Sequence, residues 1–208
     1  MLKRMLIGKY NRSVILTYLG VASAVAGVFL ALNRHVAYAM VCLIFSGIAD
    51  LFDGMLARRC KRTEEEKAFG VQIDSLADMA SFVMLPAALL IAIGLDRWYH
   101  AVLCGFYVLA AVIRLGWFNV RAADAGEERL SHYSGLPVTY AALGFPAAWA
   151  LSPLLPQSGF DVFYAAVMAC FALLFVLNIP IKKPRGPAYA FFGLLAVVLA
   201  AVILMIGD

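Results

Sequence analysis

Apolar residues run along this chain in seven long stretches, and polar residues are largely confined between them. The stretches cover residues 14–32, 36–57, 71–95, 98–120, 136–155, 160–179 and 188–206. A helix needs roughly 20 mostly apolar residues to cross a bilayer. The pattern therefore predicts an all-α, polytopic bundle of about seven spans. The fifth stretch is the weakest, because Pro137, Pro146, Pro153 and Pro156 crowd it and proline breaks the helical hydrogen-bond ladder. Two polar links are longer than the others, 58–70 and 121–135. Glu64, Glu65 and Glu66 in the first of them are expected in a solvated loop. Residues 1–12 mix Leu2, Met5, Leu6 and Ile7 with Lys3, Arg4, Lys9 and Arg12, the composition of an interfacial amphipathic helix. The basic start and Ala22-Ser23-Ala24 resemble a signal peptide. The apolar run continues to Leu32, longer than a signal h-region, so a retained first span is expected.

Composition removes the alternatives. Of 208 residues, 64% are hydrophobic and 14% charged, with a mean hydropathy of +0.87. Soluble domains are about half apolar and a quarter charged, so both a soluble core and a disordered chain are excluded. The net charge of +4 comes with no basic run long enough for nucleic-acid binding. Cys42, Cys60, Cys104 and Cys170 lack metal-site spacing and read as free thiols. The placement of charge says more. Fifteen of the 17 Lys and Arg fall on one side of the threaded chain: Lys3, Arg4, Lys9, Arg12, Arg58, Arg59, Lys61, Arg62, Lys67, Arg114, Arg121, Arg129, Lys182, Lys183 and Arg185. Only Arg34 and Arg97 fall on the other. The positive-inside rule then puts the N-terminus and both long links in the cytoplasm.

Four charges lie inside the spans. Asp50 and Asp53 stand near the end of the second, and Asp74 and Asp78 near the start of the third. A carboxylate at mid-bilayer costs about 2.5–3.5 kcal/mol on insertion scales, so each must pair, hydrate or bind a cation. Spacings of three and four residues put each pair on one helix face. The two spans are antiparallel neighbours, so both pairs sit at one depth. Facing carboxylates suit hard divalent cations such as Mg²⁺ or Mn²⁺, and two such ions form a clamp for phosphoryl chemistry. From spacing alone, an ion pathway and structural pairing with arginine remain open beside metal-dependent catalysis.

The segments Asp50-Leu-Phe-Asp53-Gly54-Met-Leu-Ala57-Arg58 and Gly70-Val-Gln-Ile-Asp74-Ser-Leu-Ala-Asp78 resemble the motif of the CDP-alcohol phosphatidyltransferase family. All eight fixed positions match. The spacer, residues 59–69, is three residues longer than the family's usual one, and the excess is expected in a longer cytoplasmic loop. Flanking residues resemble the phosphatidylserine synthase branch, among them Ser81-Phe82, Pro86-Ala87, Arg114, Phe118-Asn119, Gly135-Leu136-Pro137 and Ile179-Pro180 with Lys182-Lys183.

The resemblance implies one membrane-embedded catalytic domain over 1–208, with a six-helix core and 188–206 as an additional C-terminal span. It implies transfer of the phosphatidyl group of CDP-diacylglycerol to L-serine, with release of CMP, by direct displacement in a homodimer of the cell membrane. Asp50, Asp53, Asp74 and Asp78 would bind a pair of Mg²⁺ or Mn²⁺ ions, and Asp78 would also act as general base. Asp53, Gly54, Ala57, Arg58, Gly70 and Asp74 would bind the CDP portion. For the acceptor carboxylate, Arg114, Asn119 and Arg121 are the candidates, because a carboxylate wants a guanidinium fork. Lys182, Lys183 and Arg185 would attract anionic headgroups or simply set topology. Glycerol 3-phosphate, inositol phosphate or choline as acceptor, an ether-lipid donor, and an ion-coupled transporter are the rival readings. Four carboxylates clustered on two helices at one face argue against the transporter.

Overall fold

The computed structural model describes residues 14–60, 62–124, 132–182 and 186–207, together with Gly8. The proposed interfacial helix at 1–12 lies outside the described residues, apart from that glycine. The helices are α1 (Ile15–Leu32), α2 (Val36–Arg59), α3 (Glu64–Asp78), α4 (Leu85–Ala92), α5 (Trp98–Asp124), α6 (Ala141–Trp149), α7 (Gln157–Val176) and α8 (Pro187–Ile206). A π-helical turn, Met79–Met84, joins α3 to α4, so Glu64–Ala92 is one continuous rod. Among the described residues, six helices are long and apolar enough to cross a membrane. The chain is an integral membrane protein, as its hydropathy predicts.

The first link is not the loop expected of it. Thr63 caps α3 by accepting the Glu66 amide at 3.2 Å, and Glu66 returns the bond to the Thr63 amide at 2.9 Å. Reciprocal capping of this kind starts a helix firmly. Glu64, Glu65 and Glu66 are therefore the first turn of α3, where carboxylates meet the positive end of the helix dipole. Because α2 also continues to Arg59, part of the longer spacer is taken up as helix.

The fifth stretch is broken, as its prolines require. It consists of 3₁₀ turns at Val138–Tyr140 and Ser152–Leu154 around the nine residues of α6. Nine residues rise only about 14 Å, yet the segment must still traverse the bundle. Strand β1 (His132–Ser134), which precedes it, pairs antiparallel with β2 (Pro180–Lys182), which follows α7. The 20 residues of α7 span about 30 Å, so the chain between β1 and α7 climbs the same distance. Broken backbone at membrane depth survives only where protein shields it. Here Val138, Ala141, Ala142, Phe145, Ala148 and Trp149 are all buried.

Two glycines hold this segment in place. Gly135 has φ +79°, and a Cβ there would come 2.8 Å from the Phe175 carbonyl oxygen. Its amide donates to Ile179 at 3.0 Å, and the next amide, Leu136, donates to Leu174 at 3.0 Å. Gly47 on α2 lies so close to α6 that a side chain there would collide with the Ala142 methyl. On the other flank, α1 turns Thr17, Gly20, Ala24, Gly27 and Ala31 inward. Small residues at this spacing let helix backbones approach in a lipid solvent, and α1 lies against α2 along that seam.

Candidate functional site

The site is built where α2, α3 and α1 meet at the end of the bundle that carries the charged links. Asp50 and Asp53 come from the last turns of α2, Asp74 from α3 one turn before its end. Carboxylate oxygens of Asp50, Asp53 and Asp74 all lie within 4.8 Å of one another. At that separation each fully charged pair repels by roughly 3 kcal/mol at an effective dielectric of about 20. Hard oxygen donors from three carboxylates are the set a divalent cation takes, and a cation there converts the repulsion into attraction. Asp78, the fourth predicted carboxylate, is buried beside this trio. Together with Asp50, Asp53, Thr17, Ser46 and Ser81 it lines a small pocket of about 10 Å³.

The main cleft, about 220 Å³, opens on the carboxylate trio. Asp50, Asp53, Gly54 and Asp74 form its polar end. Its other walls come from Ile44 and Ile48 on α2, from the 137–143 segment, and from α8. Gly54 stands in the cleft wall. Gly70 lies outside that lining. A Cβ on it would meet the Arg62 guanidinium at 3.4 Å, which places the Arg62 head group beside the middle of α3. Ala57 and Arg58 continue α2, and their side chains lie outside the described part of the structure.

The three acceptor candidates separate. Arg114 is buried, donates from Nε to the Leu136 carbonyl at 3.1 Å and lies over the Phe118 ring at 5.5 Å. Its positive charge acts on Asp50, Asp74 and Asp78. Asn119 binds α3, accepting from Ser75 Oγ at 2.7 Å and donating to Gln72 Oε1 at 3.3 Å. It braces the turn that carries Asp74. Arg121 is exposed and stacks over Trp117 at 5.2 Å, on the outside of α5. Lys182 falls in β2, with its side chain outside the described part; Lys183 and Arg185 lie outside the described residues.

Sequence reasoning missed Thr17. Its buried hydroxyl donates to Asp53 Oδ2 at 2.6 Å, so α1 reaches into the acidic cluster from behind. The signal was present only as one hydroxyl in register with the small residues of α1. Also missed were Tyr140, Tyr189 and Phe192, which face the cleft.

Comparison with known proteins agrees with this geometry. The chain is 36% identical over 93 residues to the CDP-diacylglycerol–serine O-phosphatidyltransferase of Saccharomyces cerevisiae, which covers 43% of this chain and 33% of that protein. It is 26% identical over 174 residues to the archaetidylserine synthase of Methanothermobacter thermautotrophicus, covering 83% and 68%. It is 27% identical over 200 residues to the CDP-diacylglycerol–serine O-phosphatidyltransferase of Mycobacterium tuberculosis, covering 91% and 69%. The chain thus spans a third of the yeast relative and about two thirds of the other two. The sequence model of one family matches residues 10–206, nearly the whole chain and all of the carboxylate cluster. This protein belongs to the CDP-alcohol phosphatidyltransferase family.

Proposed function

We propose that the protein is a phospholipid-synthesising transferase that moves the phosphatidyl group of CDP-diacylglycerol to L-serine and releases CMP. The observation that carries this reading is the convergence of Asp50, Asp53 and Asp74 from two helices at the polar end of a membrane cleft. The names of the three relatives agree on serine and differ in the lipid. An ether-lipid donor is therefore the second reading.

In this reading Asp50, Asp53, Asp74 and Asp78 hold a pair of divalent cations, Mg²⁺ or Mn²⁺. Bound there, such ions would neutralise the donor pyrophosphate and the charge that develops on departing CMP. The rest falls to the chain. Gly54 gives the nucleotide room. Asp78 takes the proton from the serine hydroxyl as that oxygen bonds to the β-phosphorus. The bond from that phosphorus to the bridging oxygen breaks, and its electron pair leaves with CMP. Arg114 supplies a buried positive charge for the acceptor carboxylate. The cleft faces the cytoplasm, with the N-terminus on the same side, as the charge asymmetry argues. A homodimer is proposed on the family resemblance.

The test is CMP release from CDP-diacylglycerol by the purified protein, with Mg²⁺ or Mn²⁺ and a panel of alcohols. Acceleration by L-serine alone is the expected result. Acceleration by another alcohol overturns the acceptor, and no release with any of them overturns the reaction.

A further inference from the structure

The small cavity of about 10 Å³ is distinct from the main cleft. Asp50 and Asp53 line both, whereas Asp74 lines only the cleft and Asp78 only the cavity. Against these carboxylates the cavity sets three hydroxyls, from Thr17, Ser46 and Ser81, and the three are not equivalent. Thr17 gives its hydrogen to Asp53 Oδ2 at 2.6 Å. Ser46 gives its own to the carbonyls of Gly20 and Cys42 at 2.9 and 3.0 Å. Ser81, in the π-helical turn, is only 3% exposed and forms no hydrogen bond among the described residues. A serine inside a helix commonly turns its hydroxyl to the carbonyl four residues back; Ser81 instead lines the cavity. A buried hydroxyl without a partner is costly, and native proteins satisfy such groups with ordered water where no protein partner is at hand.

We infer that this cavity holds one ordered water, and that Ser81, acting through it, positions the Asp78 carboxylate. This deepens the reaction proposed above. Size limits the occupant, because a water needs a cavity of roughly 10–15 Å³. There is room for one and none for any part of a substrate. The chemistry of the lining selects water over a cation. Ser81 has a hydrogen to give, and Asp50, Asp53 and Asp78 have lone pairs that receive. A water accepts from the first and donates to two of the others, which also relieves the repulsion between them. A metal ion takes lone pairs only and leaves the Ser81 hydrogen without an acceptor. Held by Ser81, the water donates to Asp78 from the cavity side. It fixes the rotation of that carboxylate and leaves its second oxygen for the acceptor hydroxyl.

The test is a crystal structure of the full chain with CDP and Mn²⁺, read beside steady-state kinetics of Ser81→Ala. The expected map shows a peak in the cavity, within hydrogen-bond distance of Ser81 Oγ and an Asp78 oxygen, with no anomalous signal. An anomalous peak there overturns the inference in favour of a metal ion. A cavity without a peak, in a map that shows buried waters elsewhere, overturns it outright. In Ser81→Ala, kcat for CMP release should fall about tenfold, as loss of an outer partner of a site carboxylate does, while KM for L-serine and for CDP-diacylglycerol stays within twofold. A kcat within twofold of the parent overturns the positioning role. A KM that rises as far as kcat falls also overturns it, because Ser81 would then hold substrate. The map of the parent needs neither a folded variant nor turnover. A parent that shows the water but releases no CMP overturns the reaction and leaves the water site standing.

Discussion

Asp53 is held from two sides, by its own helix and by a hydroxyl from α1. A hydrogen bond to a charged group contributes about 1.5–3 kcal/mol, and this one is buried, where water cannot replace it. Thr17→Val keeps the shape and removes the donor. The cation concentration for half-maximal activity should rise about tenfold, and Thr17→Ser should restore it; titration with Mg²⁺ in a CMP-release assay reads both. Asp78→Asn separates a different role. It keeps the size of a residue only 7% exposed but removes the proton acceptor. Turnover should fall at least a thousandfold while CDP-diacylglycerol still binds, and near-normal turnover in the variant would remove Asp78 as the base. The carboxylates were legible in the sequence because charge inside an apolar span stands out against everything around it. Thr17 was not, since one hydroxyl in a span costs little and is common. Arg114 lies inside the fourth apolar stretch and Arg121 just past its end, so the burial of the first and the exposure of the second follow from position. The bond from Arg114 to the Leu136 carbonyl was not legible, because it depends on how the 135–137 segment packs.

At the level of elements, the widened turn after Asp78 has a mechanical consequence. The Leu85 amide reaches back to the Ala80 carbonyl, a five-residue step rather than four. Such turns are rare and recur at functional sites. The buried Tyr107 hydroxyl donates to the carbonyl of Phe82 within it. Tyr107 is itself clamped by the rings of Phe145 and Phe175 at 5.6 and 5.4 Å, so α5, α6 and α7 together fix this turn. A residue absorbed or lost there rotates one half of the rod against the other by about 100°. The α4 half is pinned by Leu85, Leu89 and Leu90, all buried, so the half that moves carries Asp74 and Asp78. Deleting Met84, whose side chain is 52% exposed, should let the rod relax to a regular α-helix. Activity is expected to fall at least a hundredfold in a protein that stays monodisperse and helical by circular dichroism; retained activity would show that the turn does not set the facing of the carboxylates. Hydropathy predicted a single span over residues 71–95, which covers most of this rod, and could not show the turn, because composition is blind to a change of helical pitch. The four prolines of the fifth stretch did announce its breaks, and the capping of α3 was present in Thr63-Glu64-Glu65-Glu66 but hidden by the polarity of the link.

For the whole molecule, the order of the helices turns a local charge count into a statement about sidedness. The β1–β2 pairing ties the end of α5 to the end of α7, so both charged exits lie at one face. The α2–α3 connection lies at that face too, because α2 and α5 each return from the side of Arg34 and Arg97. Cys60 sits at this connection, directly after α2. Cys42, Cys104 and Cys170 lie within α2, α5 and α7, where water-soluble reagents reach poorly. Cys60 is thus a natural reporter of sidedness. In intact cells a membrane-impermeant maleimide should leave the protein unlabelled, and permeabilisation should allow labelling at Cys60, which Cys60→Ser abolishes. In that serine background Arg97→Cys, at the opposite end of the bundle, should label without permeabilisation. The reverse pattern would turn the cleft outward. It would also separate the site from cytoplasmic CDP-linked substrates, so the proposed reaction and the proposed topology stand or fall on compatible results.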